Sequence, residues 1–239
     1  MKRPALAGIL CAALLAPASA EGSFHIMQVR EVGAGAMANQ DFVELQMYAD
    51  GQNLISGHYL TIYGANGDLD STVPFMANVP SGGNQRTILV GESAAPGSPD
   101  FVEGLNINPS GGAACFLDTF PMGGIDCLSW GTYDGTPAPP SPTGTNALPG
   151  GIPLGQSLER KIAGGSCPTA LDAGDDTNNS VNDSALLTTP TPRNNSVAPT
   201  ETLCVQPSPV PKKKKCKKRK KKRSASAAKK KKCKKKQKR

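Results

Sequence analysis

The strongest constraint on this chain is how often its apolar segments are interrupted. Apolar and polar residues alternate or cluster in short runs at 24–32, 42–48, 58–63, 73–79, 86–90, 114–117 and 125–130, each bounded by Gly, Asn, Asp or Pro. With 26 Gly and 21 Pro among 239 residues, a helix would be punctuated before it could grow. Tyr48, Tyr59, Ile62, Tyr63, Val73, Ile88 and Val90 within the runs are strand-favouring types. Short strands at close intervals with turn residues between them predict an all-β protein, a sandwich or a barrel. Residues 136–153 hold six prolines, at 137, 139, 140, 142, 149 and 153. They cannot donate a regular hydrogen-bond ladder and read as an extended surface loop. One more strand is expected at 156–162, followed by a polar segment rich in Asp, Asn, Ser and Thr.

Charge is divided between two regions. Residues 21–211 carry 5 basic and 19 acidic side chains, a net charge of −14, whereas residues 212–239 carry 20 basic side chains and no acidic one. The overall charge of +8 hides an acidic body joined to a strongly basic tail. A body of about 190 residues suits one domain with loop insertions. Residues 205–211, with three prolines, read as a stiff spacer between the two.

The amino terminus has the pattern of an export signal. Lys2 and Arg3 precede an almost unbroken apolar run at 5–15, and Ala18-Ser19-Ala20 supplies the small residues that a signal peptidase accepts, so cleavage after Ala20 is expected. Leu10 before Cys11 is not the small residue that precedes a lipidated cysteine. The run is also shorter than the roughly 20 residues that span a bilayer. Export implies a secreted or envelope-associated location and an oxidising compartment, which makes the other six cysteines candidates for disulfides.

Cys115 and Cys127 flank a turn between two strands expected to pair as a hairpin, so their side chains can face each other. Cys167 and Cys204 bracket the polar segment, and a bridge there would pin a long connection to the body. Cys216 and Cys233, in the tail, are the remaining pair. Six cysteines allow 15 pairings, and this assignment rests on the hairpin and on elimination. A zinc site is the alternative, but no Cys-x-x-Cys occurs and the only histidines are His25 and His58.

Oxygen donors are dense around Asp172, Asp175, Asp176, Asn178 and Asp183, a composition that suits Ca²⁺. The register is poor for an EF-hand: with Asp172 at position 1, Thr177 stands where Gly is needed and Gly174 where a ligand is. The simpler reading is that these side chains close turns by hydrogen-bonding nearby backbone. Gly33-Ala34-Gly35-Ala36-Met37-Ala38 matches a dinucleotide fingerprint, yet another strand follows it where a helix should begin. Neither histidine lies near a Gly-x-Ser-x-Gly sequence, and both fall in strand patterns. Trp130 reads as a core or sheet-face residue. No catalytic constellation and no cofactor are indicated.

Six segments in order are similar to the lamin tail domain. They are Val29-Arg30-Glu31-Val32, Asp41-Phe42-Val43-Glu44-Leu45, Leu54-Ile55-Ser56-Gly57-His58-Tyr59-Leu60, Ile125-Asp126-Cys127-Leu128-Ser129-Trp130-Gly131, Gly155-Gln156-Ser157-Leu158-Glu159-Arg160, and Asp175-Asp176-Thr177-Asn178-Asn179 leading to Thr191-Pro192-Arg193-Asn194. The resemblance implies an immunoglobulin-like β-sandwich over residues 21–204, serving as a binding or tethering module with a protein partner it does not name. The proline-rich loop is longer than the family's, and Ser184-Ala185 stands where an aromatic is common.

The tail repeats itself. Lys212-Lys213-Lys214-Lys215-Cys216-Lys217-Lys218 recurs as Lys229-Lys230-Lys231-Lys232-Cys233-Lys234-Lys235, and Arg219 and Lys220 extend the first copy. Like charges at this density repel, so the sequence predicts a disordered polycation reaching up to about 95 Å. Such an arm binds polyanions by counterion release, with little sequence preference. Lysine outnumbers arginine 17 to 3 there, favouring diffuse charge over bidentate phosphate recognition. Outside a cell the polyanions are cell-wall polymer, anionic membrane surface and extracellular nucleic acid. The expected function is therefore non-enzymatic binding or tethering through this arm. The alternatives are a calcium-dependent adhesion module built on residues 172–183 and a hydrolase accessory domain.

Overall fold

A computed structural model describes residues 26–136 and 138–204. In strand β1 (Met27–Ala34) the apolar side chains of Val29 and Val32 face one way, and in β2 (Phe42–Met47) Val43 and Leu45 do the same. That pattern builds the inner face of a sheet. The remaining elements are β3 (Tyr59–Gly64), β4 (Leu69–Pro74), β5 (Thr87–Gly91), β6 (Phe101–Val102), β7 (Gly111–Leu117), β8 (Gly124–Gly131), β9 (Gln156–Arg160), a one-turn helix α1 (Ser180–Asp183) and β10 (Ser184–Leu187).

They form an all-β sandwich of two sheets. One has six strands in the order β10-β9-β1-β2-β5-β6, and the other has four in the order β4-β3-β7-β8. All pairings are antiparallel except the short β5–β6 contact. Val29, Val32, Val43, Leu45, Ile88 and Val90 from the first sheet meet Leu60, Ile62, Ala114, Phe116, Leu128 and Trp130 from the second. Phe75, from the loop after β4, closes this core with its ring 5.0 Å from that of Phe101 and 6.1 Å from that of Phe116. Trp130 is fully buried and donates its indole N–H to the Asn108 carbonyl at 2.9 Å.

Among the described residues two disulfides are present, and both suit an oxidising compartment. Cys115 and Cys127 stand directly opposite each other on β7 and β8, facing away from the main core, where Tyr59 and Tyr63 pack around them. Cys167–Cys204 ties the end of the described body to the segment after β9. The expected export signal at 1–20, His25, the expected spacer at 205–211 and the tail with Cys216 and Cys233 lie outside the described residues.

One expectation is corrected in detail. The fourth strand lies at 69–74 rather than 73–79, because it is a solvent-facing edge strand whose side chains are mostly exposed. Its apolar signal comes from the loop behind it, where Phe75 and Val79 are buried. The strands β6 and β10, of two and four residues, are too short to register as runs. The proline-rich stretch does not stand free: Ala147 is buried and bridges to Trp130, with Gly131 N–H donating to the Ala147 carbonyl and Ala147 N–H to that of Ser129. It covers the edge of β8, which would otherwise offer unpaired backbone groups. The fingerprint glycines pack between strands, since a Cβ on Gly33 would lie 2.0 Å from the Phe42 ring across the β1–β2 pair. Among the described residues no helix is long and apolar enough to cross a membrane.

Candidate functional site

Charged side chains converge at two places, and the first is inside the sandwich. On β9, Leu158 and Arg160 share the inward parity, so the chain delivers a guanidinium between the sheets with no exposure to solvent. On β8, Asp126 has the same inward parity as Leu128 and Trp130. Arg160 Nη2 donates to both Asp126 oxygens at 2.8 and 2.7 Å, and its Nε donates to the Val29 carbonyl at 3.1 Å. Asp126 also accepts the Val29 N–H at 2.7 Å, beside the bulge between Val29 and Glu31. Asp176 and Asp183 lie 3.3 and 3.7 Å from Nη1. Burial opposes the charge on Arg160, but Asp126, Asp176 and Asp183 outweigh it and hold the guanidinium above its ordinary value. Burial pushes Asp126 up to about 6 against the pull of Arg160.

The acidic segment wraps this node. Asp175 Oδ1 accepts the N–H groups of Ala163, Gly164 and Gly165 at 2.9, 2.8 and 3.2 Å, and its Oδ2 accepts that of Asp172 at 2.8 Å. Asp172 in turn accepts from Gly174, Ser166 and Cys167. Asp183 accepts the N–H groups of Thr177 and Asn179, and Asp176 that of Asn178. The oxygens of Asp172, Asp175, Asp176 and Asp183 thus face N–H donors of this chain. Among the described residues no group of three or more His, Cys, Asp or Glu side chains is arranged to hold a metal ion.

The second place is the outer face of the six-stranded sheet. Register sets Glu31 directly opposite Glu44 on one side and Glu159 on the other, so three carboxylates cross strands β2, β1 and β9. Residues 193–201 run over this face as a strap. The Arg193 N–H donates to Glu44 at 2.6 Å, Thr87 Oγ1 donates to the Arg193 carbonyl at 2.7 Å, and Gln46 donates to Glu201 at 2.8 Å. Arg193 grips Glu201 through both terminal nitrogens, at 2.9 and 2.7 Å. Arg30 donates to Glu159 at 2.7 Å and to the Arg160 carbonyl. A cleft of about 300 Å³ remains between these residues. Burial raises Glu44 to about 8, despite the Arg193 N–H and guanidinium. Burial likewise raises Glu31 to about 7, against the 2.6 Å hydrogen bond from Ser157. Glu201, although half-buried, is pulled down to about 2 by Arg193. Chemically this face exchanges protons near neutrality, while its cations are already paired with carboxylates.

His58 is buried at the start of β3, stacked 5.7 Å from Phe116 with Nε2 3.4 Å from Asp118. Sequence reasoning passed over Arg160, Arg193, Glu31, Glu44 and Glu201 as sites. The available signal was a charged residue at an interior position of an otherwise apolar strand, as in Phe42-Val43-Glu44-Leu45. Compared with protein-family models, curated proteins and solved structures, this chain has no match.

Proposed function

We propose that this is an exported, non-enzymatic tethering protein of the lamin-tail type, in which an immunoglobulin-like sandwich is held to anionic surface polymer by its basic arm. The observation that carries the reading is the separation of charge, with 20 basic residues in the last 28 set against a body of net charge −14. A polycation of this kind gains affinity by releasing counterions from its partner, so binding is strong at low salt and indifferent to fine structure. The sandwich supports the reading in two ways. Its buried charges are committed to one another around Arg160 and beneath the strap. Its last described residue, Cys204, is anchored by a disulfide, which gives an arm a firm point of attachment.

The test is retention of the mature protein on isolated cell-wall material and on duplex DNA across a salt series, with and without residues 212–239. Tail-dependent retention that falls steeply with salt is expected. Salt-resistant retention that survives the deletion would move the function into the sandwich. A hydrolase activity abolished by Glu44→Gln would overturn the non-enzymatic reading.

A further inference from the structure

One nitrogen of Arg193 stands between two carboxylates that belong to different parts of the fold. Its Nη2 donates to Glu201 Oε1 at 2.7 Å and lies 3.6 Å from Glu44 Oε1. Glu44 is fixed inside β2, where it pairs with Glu31 on one side and Leu89 on the other and is 2% exposed. Glu201 stands on the strap, which is pinned on both sides of it. Before it, the buried Asn195 bonds to Asp100, Ser81 and Thr87, and Arg86 holds the Val197 carbonyl at 2.7 Å. After it, Thr202 N–H donates to the Thr169 carbonyl at 3.0 Å and Cys204 is bridged to Cys167. Between these pins, residues 198–201 are fastened to the sheet through Gln46 and Arg193, which take Glu201 and, from Arg193 at 3.3 Å, Thr200 Oγ1.

The charged groups around Glu44 come from each element packed against it. On β1, Glu31 lies directly opposite and is 3% exposed, with Arg30 beside it. Arg30 is taken by Glu159 on β9, which also faces Glu31. On the other side β5 presents Leu89, whose N–H is taken by Asp100 at 2.9 Å. From above comes Arg193, among the described residues the one cation within 4 Å of Glu44. A charge on Glu44 is therefore answered by the guanidinium that Glu201 uses.

We propose that Arg193 is a pH-operated latch: with Glu44 protonated it grips Glu201 and holds residues 198–201 down, and when Glu44 ionises it is drawn to Glu44 and lets that segment rise. Burial places Glu44 at about 8 and Glu31 at about 7, whereas Arg193 keeps Glu201 at about 2, so Glu201 is charged in both settings and Glu44 is the group that changes. The proton leaves to solvent through the cleft of about 300 Å³ that these residues line. Opening lets water reach Glu31 and Glu44, so it is favoured as pH rises toward about 8 and opposed below that. The latch does not rest on the tether reading.

The experiment uses the mature protein with its disulfides intact and a glutamyl endopeptidase. Cleavage after Glu201 is located by mass spectrometry and normalised at each pH to a free peptide of residues 196–204. It is expected to rise about tenfold or more between pH 6 and pH 9. Glu44→Gln has no proton to lose there and is expected to hold the pH 6 rate throughout. Arg193→Gln lacks the latch and is expected to be cleaved fast at both pH values. By NMR, the Glu44 carboxyl carbon and the Glu201 amide are expected to titrate together in wild type. Equal normalised cleavage of wild type at pH 6 and pH 9 overturns the latch. So does an undiminished rise in Glu44→Gln, or slow cleavage of Arg193→Gln at pH 6. Amide protection in β2 that falls in step with the cleavage also overturns it, because the whole sandwich would then be opening rather than the strap.

Discussion

The two buried charge networks solve the same physical problem in different ways. At Arg160 the chain takes a cation out of water and surrounds it with Asp126, Asp176 and Asp183, so opposite charges offset desolvation and the ionised state is retained. On the outer face of the six-stranded sheet it sets Glu31 against Glu44, so like charges meet and burial is relieved by holding protons. The first network therefore acts as a fixed clamp between sheets. The second acts as a titratable seat for the strap that leads to Cys204. The difference teaches that one fold can carry a region held by opposite charges, where Asp126 is raised only to about 6, and another of crowded like charges, where Glu31 and Glu44 are raised to about 7 and 8.

Breaking the clamp should have the largest effect. Arg160→Met leaves Asp126 buried without its partner and should cost about 3–5 kcal/mol of unfolding free energy, read from denaturant titration. Arg160→Lys should recover only part of this, because an ammonium cannot span both Asp126 oxygens while still reaching Val29. Next, replacing Cys167 and Cys204 by Ser opens a connection of 37 residues. It should cost about 3–4 kcal/mol and expose the strap to proteolysis ahead of the strands. A smaller loss, about 2 kcal/mol, is expected for Asp175→Ala, which strips the N–H groups of Ala163, Gly164 and Gly165 of their acceptor.

The seat should show the smallest and most informative change. Glu44 is raised from 4.5 to about 8 in the folded protein, so the native state binds more protons than the unfolded chain between those values. The associated stability is present below the unfolded value and is lost as pH rises toward about 8. Glu44→Gln should flatten this decline and gain about 1 kcal/mol at the alkaline end, seen as melting temperatures that converge at low pH and diverge at high pH. Glu201 has the opposite sign: its stabilisation is lost as pH falls from 4.5 toward about 2. A wild-type stability that rises from mild acid to alkali would break the contrast between the two regions.

Much of the sandwich was legible because strand propensity and period-two alternation are local. The runs at 42–48, 58–63, 86–90 and 125–130 coincide with β2, β3, β5 and β8 to within a residue or two. The Cys115–Cys127 bridge was legible for a similar reason, since a short turn forces its two flanks to pair. Illegibility began where structure depends on distant partners. The edge strand β4 is polar because one of its sides faces water, and β10 exists because Leu158 and Arg160 on β9 offer it a ladder. Asp126 and Arg160 stand on strands β8 and β9. Nothing in the spacing of 34 residues between them says that they meet.

What the sequence determined by itself is most of the inner strands, the hairpin disulfide and the separation of a basic tail from an acidic body, all of which follow from near-neighbour chemistry and composition. Tertiary structure alone decided which carboxylates are paired with a cation and which are crowded against one another. The physical reason is that desolvation and like-charge proximity arise only when sheets close over side chains far apart in the chain.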